Sequence, residues 1–385
     1  MYRPLKVTPV CGDTLVHAVN YFAKEQKKAM QINKNPCYLQ GKRVHLPFIF
    51  QNIRISLMQN RYSLKNITGF LLAAIAVVAA AQLMQSHQGT SPQNEPRSQV
   101  PYNVTSPEVP ASMMFAGENV DLTRSDLRER MDREILTFTY SHINTQLMLK
   151  RANRIFPIVE PILKEQGVHD DFKYLMIIES NGDVYARSSV GAGGLWQFMP
   201  ATAKQYGLEV NNSVDERYNI EKATRAACRY IKAYYKTFGD WLTVAASYNA
   251  GGNSVSKRIA AQKESKATDL ALVPETSRYL FRILTAKLIF SSPSRYGFLL
   301  KSSDLYPPVV YSDTVETSAA TIDFTAIAKK HGINYLQLRD ANPWVRSTTH
   351  RNPNRKSYKL LIPSKESQYY NPKETKPHSS AWVIK

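Results

Sequence analysis

The sequence predicts a mainly α-helical protein with a small β-α-α-β unit at its C-terminal end. Three observations predict it. Between residues 119 and 305 apolar residues recur at helical spacing, and no segment before residue 305 alternates as a strand. From Tyr306-Pro307-Pro308 on, the pattern changes to short strands around two short helices. Within the helical region, residues 172–203 stand out: an apolar helix ends in a carboxylate, Glu179, before a glycine-rich turn.

Residues 1–66 form a basic segment of unknown role, with 11 Lys/Arg against 2 Asp/Glu and no clear periodicity. Residues 67–84, ITGFLLAAIAVVAAAQLM, come next. The run opens at Ile67, closes at Met84 and holds no charge, so it is about long enough to span a bilayer. Arg61 and Lys65 precede it, and the next charge is Glu95. The positive-inside rule then keeps the N-terminus in the cytoplasm and exports the chain beyond Gln85. A second reading starts at Met58: a short basic start, an apolar middle and Ala79-Ala80-Ala81 look like a signal peptide. Transmembrane anchor and cleaved signal both stand, and both export the rest of the chain. Residues 85–118, rich in Ser, Pro, Gln and Asn, read as a linker.

Residues 119–305 are taken as the helical domain. Ile135, Leu136, Phe138, Ile143, Leu147 and Leu149 mark an amphipathic helix, which Phe156-Pro157 is expected to break. A short helix from Ile158 to Gln166 ends at Gly167. Residues 220–238 are helical by pattern and close at Gly239. Asp240 caps the next helix, which ends in a Tyr-Asn pair before Gly251-Gly252. Residues 272–290 form a last long helix with Pro274 near its start. Cys11, Cys37 and Cys228 match no zinc or redox spacing, and Cys228 reads as a small core residue. Residues 306–363 make the β-α-α-β unit, with Gly332 as a helix cap, and residues 364–385 a mobile polar tail.

Hydrophobic content of 43% is enough for most of the chain to fold, and the net charge of +19 calls for an anionic partner. No basic helix interleaved with aromatics and no nucleic-acid motif is present, so no nucleic-acid partner is expected; a membrane surface or an anionic cell wall fits better. No ligand spacing implies a metal or other cofactor.

Glu179 closes an apolar helix, and Ser180, Asn181 and Gly182 break it. A carboxyl at such a rim is partly desolvated, which raises its pKa toward the range a general acid needs. Two stretches accompany it. Residues 193–200 join Gly193 and Gly194, which permit close approach of backbone to a ligand, to Trp196 and Gln197. An aromatic face and an amide suit a sugar ring, although Trp196 itself reads as core. Residues 246–251 supply Tyr248 and Asn249 just before a helix end.

Glu179-Ser180, then GLWQFMPATA, then SYNAG, then Pro274-Glu275-Thr276-Ser277-Arg278-Tyr279 stand in this order. In order and spacing they resemble the four motifs of the lytic transglycosylases, enzymes that share a fold with goose-type lysozyme. The resemblance implies a lysozyme-like α-helical catalytic domain, with roles residue by residue. Glu179 is the single catalytic acid/base. Ser188 helps position substrate, Gln197 lines the sugar groove, Tyr248 and Asn249 flank the scissile bond, and Tyr279 hydrogen-bonds near the acid. Ser247 stands where the family usually has Ala, and Ser277 interrupts the usual Glu-Thr-Arg spacing. Gly182-Asp183 replaces an aromatic and an Asn-Pro.

The implied activity is lyase cleavage of the β-1,4 bond between N-acetylmuramic acid and N-acetylglucosamine in peptidoglycan glycan strands. It leaves a 1,6-anhydromuramoyl end without a cofactor. A lysozyme-type hydrolase and a non-catalytic peptidoglycan-binding protein are the alternatives. The expected location is the cell envelope, in the periplasm, tethered to the inner membrane through Ile67 to Met84 if that run is uncleaved. Residues 309–363 resemble a LysM domain, a small glycan binder. The match rests on FTAIAKKHG, Leu336-Gln337-Leu338, Ala341-Asn342-Pro343 and Leu361-Ile362-Pro363. The usual Gly-Asp-Thr-Leu is absent, so glycan binding and a purely capping role both stand.

Overall fold

The computed structural model describes residues 105–373 and 375–384, together with the backbone of two short strands nearer the N-terminus. Those strands, β1 (Tyr38–Leu39) and β2 (Lys42–Arg43), pair antiparallel in a separate unit. Residues 67–84, on which the anchor and signal readings rest, lie outside the described residues. No helix among the described residues is long and apolar enough to cross a membrane.

The unit that begins at Tyr102 opens with a hairpin, β3 (Ser112–Phe115) and β4 (Glu118–Asp121). Ala116 and Gly117 form its turn, both at positive φ, the geometry that matches the twist of paired strands. The hairpin corrects the expectation of no strand before residue 305. Its four-residue strands carry no clear alternation, and tertiary contacts hold them instead. Phe115 is fully buried against Phe172, Ala116 N–H donates to Asp171 at 2.7 Å, and Glu118 accepts from Trp241 N–H at 2.9 Å.

Helices α1 (Ser125–Tyr140) and α2 (His142–Glu165) come next. The expected break at Phe156-Pro157 does not occur: α2 runs on through Pro157 and Pro161. Both prolines are exposed and four residues apart, so their rings share the outer face. Ile155, Phe156, Val159 and Leu163 on the inner face are buried, and that burial offsets the missing backbone donors.

Helix α3 (Phe172–Ser180) packs against α2 and against α8 (Pro274–Ser291). Phe172, Leu175, Met176 and Ile177 are fully buried, as a helix apolar nearly all round must be. Between α3 and α8 come α4 (Pro200–Gln205), α5 (Ile220–Phe238), α6 (Trp241–Ala250) and α7 (Gly252–Gln262). Their caps follow the sequence. Asn219 accepts from Lys222 N–H at 3.0 Å, Asp240 accepts from Thr243 N–H at 2.7 Å, and Gly239 closes α5 at φ 65°. Cys228 is buried on α5, and burial pushes its thiol up to about 12.

In the C-terminal unit β5 (Tyr311–Thr317) pairs antiparallel with β8 (Tyr358–Pro363). Helices α9 (Phe324–Lys330) and α10 (Tyr335–Ala341) lie between them in sequence. A second pairing, β6 (Thr321–Asp323) with β7 (Thr349–Arg351), adds to the predicted order, and β6 falls where the usual glycine-containing turn is missing. This unit has its own core around Phe324, Leu338, Trp344 and Leu360, and Val214 and Tyr218 of the helical domain belong to it.

The residues expected as a mobile tail fold back onto the helices. Trp382 is buried beside Phe156 and Phe290 and donates its indole N–H to Phe290 O at 2.8 Å. Asn153 accepts from His378 N–H at 2.7 Å. Polar composition misleads here because one tryptophan, not a periodic pattern, anchors the segment.

Candidate active site

Glu179 stands one residue before the end of α3. Asn181 and Gly182 sit next in the chain at φ 53° and 67°, a left-handed turn that stops the helix and leaves the carboxyl at its rim. Ser180 Oγ returns to Met176 O at 3.0 Å, and Arg151 holds Asn181 O at 3.1 Å. The turn is thus fixed from two sides. Asp183, the nearest second carboxylate in sequence, pairs with Arg151 at 3.3 Å.

Tyr279, in the second turn of α8, donates its hydroxyl hydrogen to Glu179 Oε1 at 2.5 Å. Burial of the carboxyl raises Glu179 to about 7, against the opposing pull of the Tyr279 hydrogen bond and the Arg282 charge; Glu275 adds a smaller push upward. A carboxyl so poised can give a proton and later take one near neutral pH. The phenols of Tyr248 and Tyr279 are held well above the ordinary tyrosine range, first by burial and then by the Glu179 charge. Both therefore remain hydrogen donors.

Tyr248, near the end of α6, donates to Trp196 O at 2.7 Å and packs edge-on against Tyr230 at 4.9 Å between ring centres. Its neighbour Asn249 accepts through Oδ1 from Thr276 Oγ1 at 2.8 Å, which ties the end of α6 to the start of α8. The four matched stretches are thereby joined in two pairs of contacts: Glu179 with Tyr279, and Tyr248-Asn249 with Trp196 and α8.

Ser188 and Gln197 lie on the loop of residues 183–199. Ser188 Oγ accepts from Ala192 N–H at 2.9 Å. Gln197, at φ 47°, donates through Nε2 to Gly194 O at 2.8 Å and Ala186 O at 3.1 Å. Both side chains are engaged in closing their own loop, and neither is hydrogen-bonded to Glu179. Trp196 is fully buried, with its indole N–H on Thr224 Oγ1 at 3.0 Å, so it is core, as its sequence context suggests.

The glycine pair has a different reason from the expected one. A Cβ on Gly194 would lie 1.9 Å from Arg217 O, and φ there is 77°. It is the backbone of Arg217, not a ligand, that needs the space.

Sequence reasoning missed Arg282, Tyr230 and the Asp215–Arg217 pair. Arg282 was within reach, because it stands three residues after Tyr279 and so shares its helix face. Asp215 and Arg217 sit in a charged run that normally marks a solvated loop, yet both are buried. A cavity of about 190 Å³ lies elsewhere, lined among others by Ile158, Ile220, Trp344 and Tyr358. Among the described residues no cluster of His, Cys, Asp and Glu is arranged to hold a metal ion.

The mainly helical domain thus holds, at the end of α3, a partly buried, tyrosine-bonded carboxyl able to give and take a proton near neutral pH. Residues 157–271 match the family model of the transglycosylase SLT domain, and residues 313–366 match that of the soluble lytic transglycosylase C-terminal LysM-like domain. The chain therefore carries a transglycosylase SLT domain followed by a LysM-like domain. Membrane-bound lytic murein transglycosylase D of Escherichia coli is 29% identical over 228 residues, which are 58% of this chain and 49% of that protein. The chain thus spans about half the length of this curated relative. Among solved structures, an inactive mutant of lytic transglycosylase Slt from Pseudomonas aeruginosa is 23% identical, with a TM-score of 0.30, over 35% of this chain and 23% of that one. The 70 kDa soluble lytic transglycosylase of Escherichia coli is 19% identical, with a TM-score of 0.32, over 44% of this chain and 29% of that one.

Proposed function

We propose that this protein is a peptidoglycan lytic transglycosylase with Glu179 as its single acid/base. The observation that carries the reading is the Glu179 carboxyl, raised to about 7 by burial and hydrogen-bonded to Tyr279, while Asp183 is committed to Arg151. Glycosidases that use water or a protein nucleophile pair two carboxylates; one carboxyl fits a reaction in which the substrate supplies the second group.

In this reading protonated Glu179 gives its proton to the glycosidic oxygen between N-acetylmuramic acid and N-acetylglucosamine. The bond from that oxygen to the muramoyl C1 breaks, and the substrate's own N-acetyl oxygen bonds to C1. Glu179, now a carboxylate, takes the proton of the C6 hydroxyl. The C6 oxygen bonds to C1 and displaces the N-acetyl oxygen, leaving a 1,6-anhydro ring. The carboxyl ends as it began, and no water is consumed. Tyr279 holds the carboxyl in place through both steps, and Tyr248 and Asn249 border the scissile bond. Gln197 and Ser188 shape the sugar groove through their loop.

The match to envelope enzymes supports a site of action at the cell wall. Export would come from residues 67–84, either as an anchor to the inner membrane or as a cleaved signal. Product mass tests the reaction. Purified peptidoglycan digested by the protein should yield muropeptides with anhydro ends, one water lighter than hydrolysed ends. Reducing ends in their place would make the enzyme a hydrolase of lysozyme type.

A further inference from the structure

We infer that the C-terminal LysM-like unit positions the site loop of residues 183–199, and that Tyr185 and Arg217 are the positioning residues through which it acts. The inference rests on the reading of Glu179 as the residue that cuts glycan, because it assigns a task to the loop that carries Ser188 and Gln197.

Two ties carry it. The first is direct. Tyr185 donates its hydroxyl hydrogen to Asp340 Oδ1 at 2.8 Å, and the Arg339 guanidinium lies 5.6 Å over the Tyr185 ring. Asp340 and Arg339 belong to α10 of the C-terminal unit. The loop is therefore held near its start by a side chain from the other domain.

The second tie runs through a relay. Val214 bridges Val345, Asp215 N–H donates to Trp344 O at 2.9 Å, and Arg346 N–H donates to Ser213 O at 2.9 Å. This short strand-like pairing fixes Asp215. Asp215 in turn grips Arg217, accepting from Nε at 2.9 Å and from Nη2 at 2.7 Å. The remaining arm of the guanidinium, Nη1, donates to Gly191 O at 2.7 Å and to Phe198 O at 3.0 Å. Those two carbonyls lie on either side of Gly194, which rests on the Arg217 backbone. One planar cation thus clips together the two arms of the site loop, while its other edge is fixed by a carboxylate that the C-terminal unit holds.

The chemistry suits positioning. Asp215 and Arg217 are each 6% exposed. A buried pair of this kind adds little net stability, but its fixed fork imposes one arrangement on whatever it bonds. The loop supplies little apolar anchorage at its outer parts, where Val190 is 74% and Met199 42% exposed. Its shape there depends on polar ties, some internal to the loop and two, at Tyr185 and Arg217, leading to the C-terminal unit.

The experiment uses the full chain. Tyr185→Phe, Asp340→Asn, the double variant and Arg217→Lys are compared with wild type for release of soluble fragments from purified peptidoglycan over a range of substrate concentrations. Melting temperature and amide hydrogen exchange of residues 188–198 are measured in parallel. Each of Tyr185→Phe and Asp340→Asn should raise KM about 3- to 10-fold, the range one hydrogen bond spans, with kcat within about twofold. The double variant should be no worse than either single. Arg217→Lys should raise KM further, since an ammonium cannot span four acceptors. In a Glu179→Gln background, affinity for glycan strands should fall in the same ratio. Faster exchange at 188–198 is expected in every variant, with an unchanged melting temperature in Tyr185→Phe, Asp340→Asn and the double variant, and a lowered one in Arg217→Lys, which breaks a buried pair. Unchanged KM together with unchanged exchange would overturn the inference, as would additive effects of Tyr185→Phe and Asp340→Asn. If wild type releases nothing, the functional reading has failed. Exchange at 188–198 then still decides whether the C-terminal unit holds the loop.

Discussion

Tyr279 and Glu179, a hundred residues apart in sequence, meet at 2.5 Å, phenol oxygen to carboxyl oxygen, with the phenol donating. The contact joins the end of the apolar helix α3 to α8. It favours the ionised carboxyl, whereas burial favours the neutral one, and burial prevails.

Removing the phenol should therefore move the alkaline limb of the pH profile in a defined direction. Tyr279→Phe takes away a group that lowers the Glu179 pKa, so the fall of kcat/KM on the alkaline side should shift upward from about 7. Turnover should drop about 10-fold, the value of one hydrogen bond to a charged group. Arg282→Met should shift the same limb upward too, because the lost positive charge also favoured the carboxylate. Rate profiles against pH check both, and a downward shift in either would be at odds with the assignment.

The same carboxyl makes stability depend on pH. Folded Glu179 titrates at about 7, while the ordinary value is 4.5. Between the two, the unfolded chain has released a proton that the folded chain still holds. Stability therefore falls as pH rises through this window and stays reduced above it. The full effect is on the order of 3 kcal/mol. Glu179→Gln should match wild type in urea unfolding near about pH 4 and exceed it by roughly 2–3 kcal/mol near pH 8. Equal gains at both pH values would mean the carboxyl is not shifted.

Glycine is required at one site-loop position for two reasons and at another for one. Gly194→Ala meets both a left-handed φ and a backbone oxygen 1.9 Å away. It should cost upwards of about 3 kcal/mol and release the loop from Arg217. Gly191→Ala has φ 91° but open space around it. It should cost only about 1–2 kcal/mol. Denaturant melts of the two variants should separate by at least about 1 kcal/mol, and equal losses would argue that the clash is relieved.

Helix α3, its carboxyl and its stop are legible in the chain because they are local: an apolar run, then Asn181 and Gly182. The caps Asp240 and Gly239 are local as well. The hairpin at Ala116-Gly117 is not legible, because Phe172, Asp171 and Trp241 hold it from distant parts of the chain. Helix α2 survives two prolines because its other face is buried, a tertiary effect that propensity cannot register. Asp215 and Arg217 carry the signature of a solvated loop and are instead buried between two domains. Gly194 reads as a close approach, but what approaches is the Arg217 backbone.

The C-terminal segment gives a prediction far from Glu179. Trp382→Ala empties a site between Phe156 and Phe290 and orphans Phe290 O. It should cost about 3–5 kcal/mol in thermal or urea unfolding. Turnover measured well below the melting temperature should stay near wild type, since Trp382 touches no group of the site. A stability loss under about 1 kcal/mol would mean the segment is only loosely docked.

The central claim is that one carboxyl does the cutting. Its most direct test is the release of soluble muropeptides from purified peptidoglycan by wild type and by Glu179→Gln, side by side. Wild type should release anhydro-ended fragments, and Glu179→Gln, folded and still able to bind glycan, should release none above background. Release by Glu179→Gln at a rate comparable to wild type would contradict the claim.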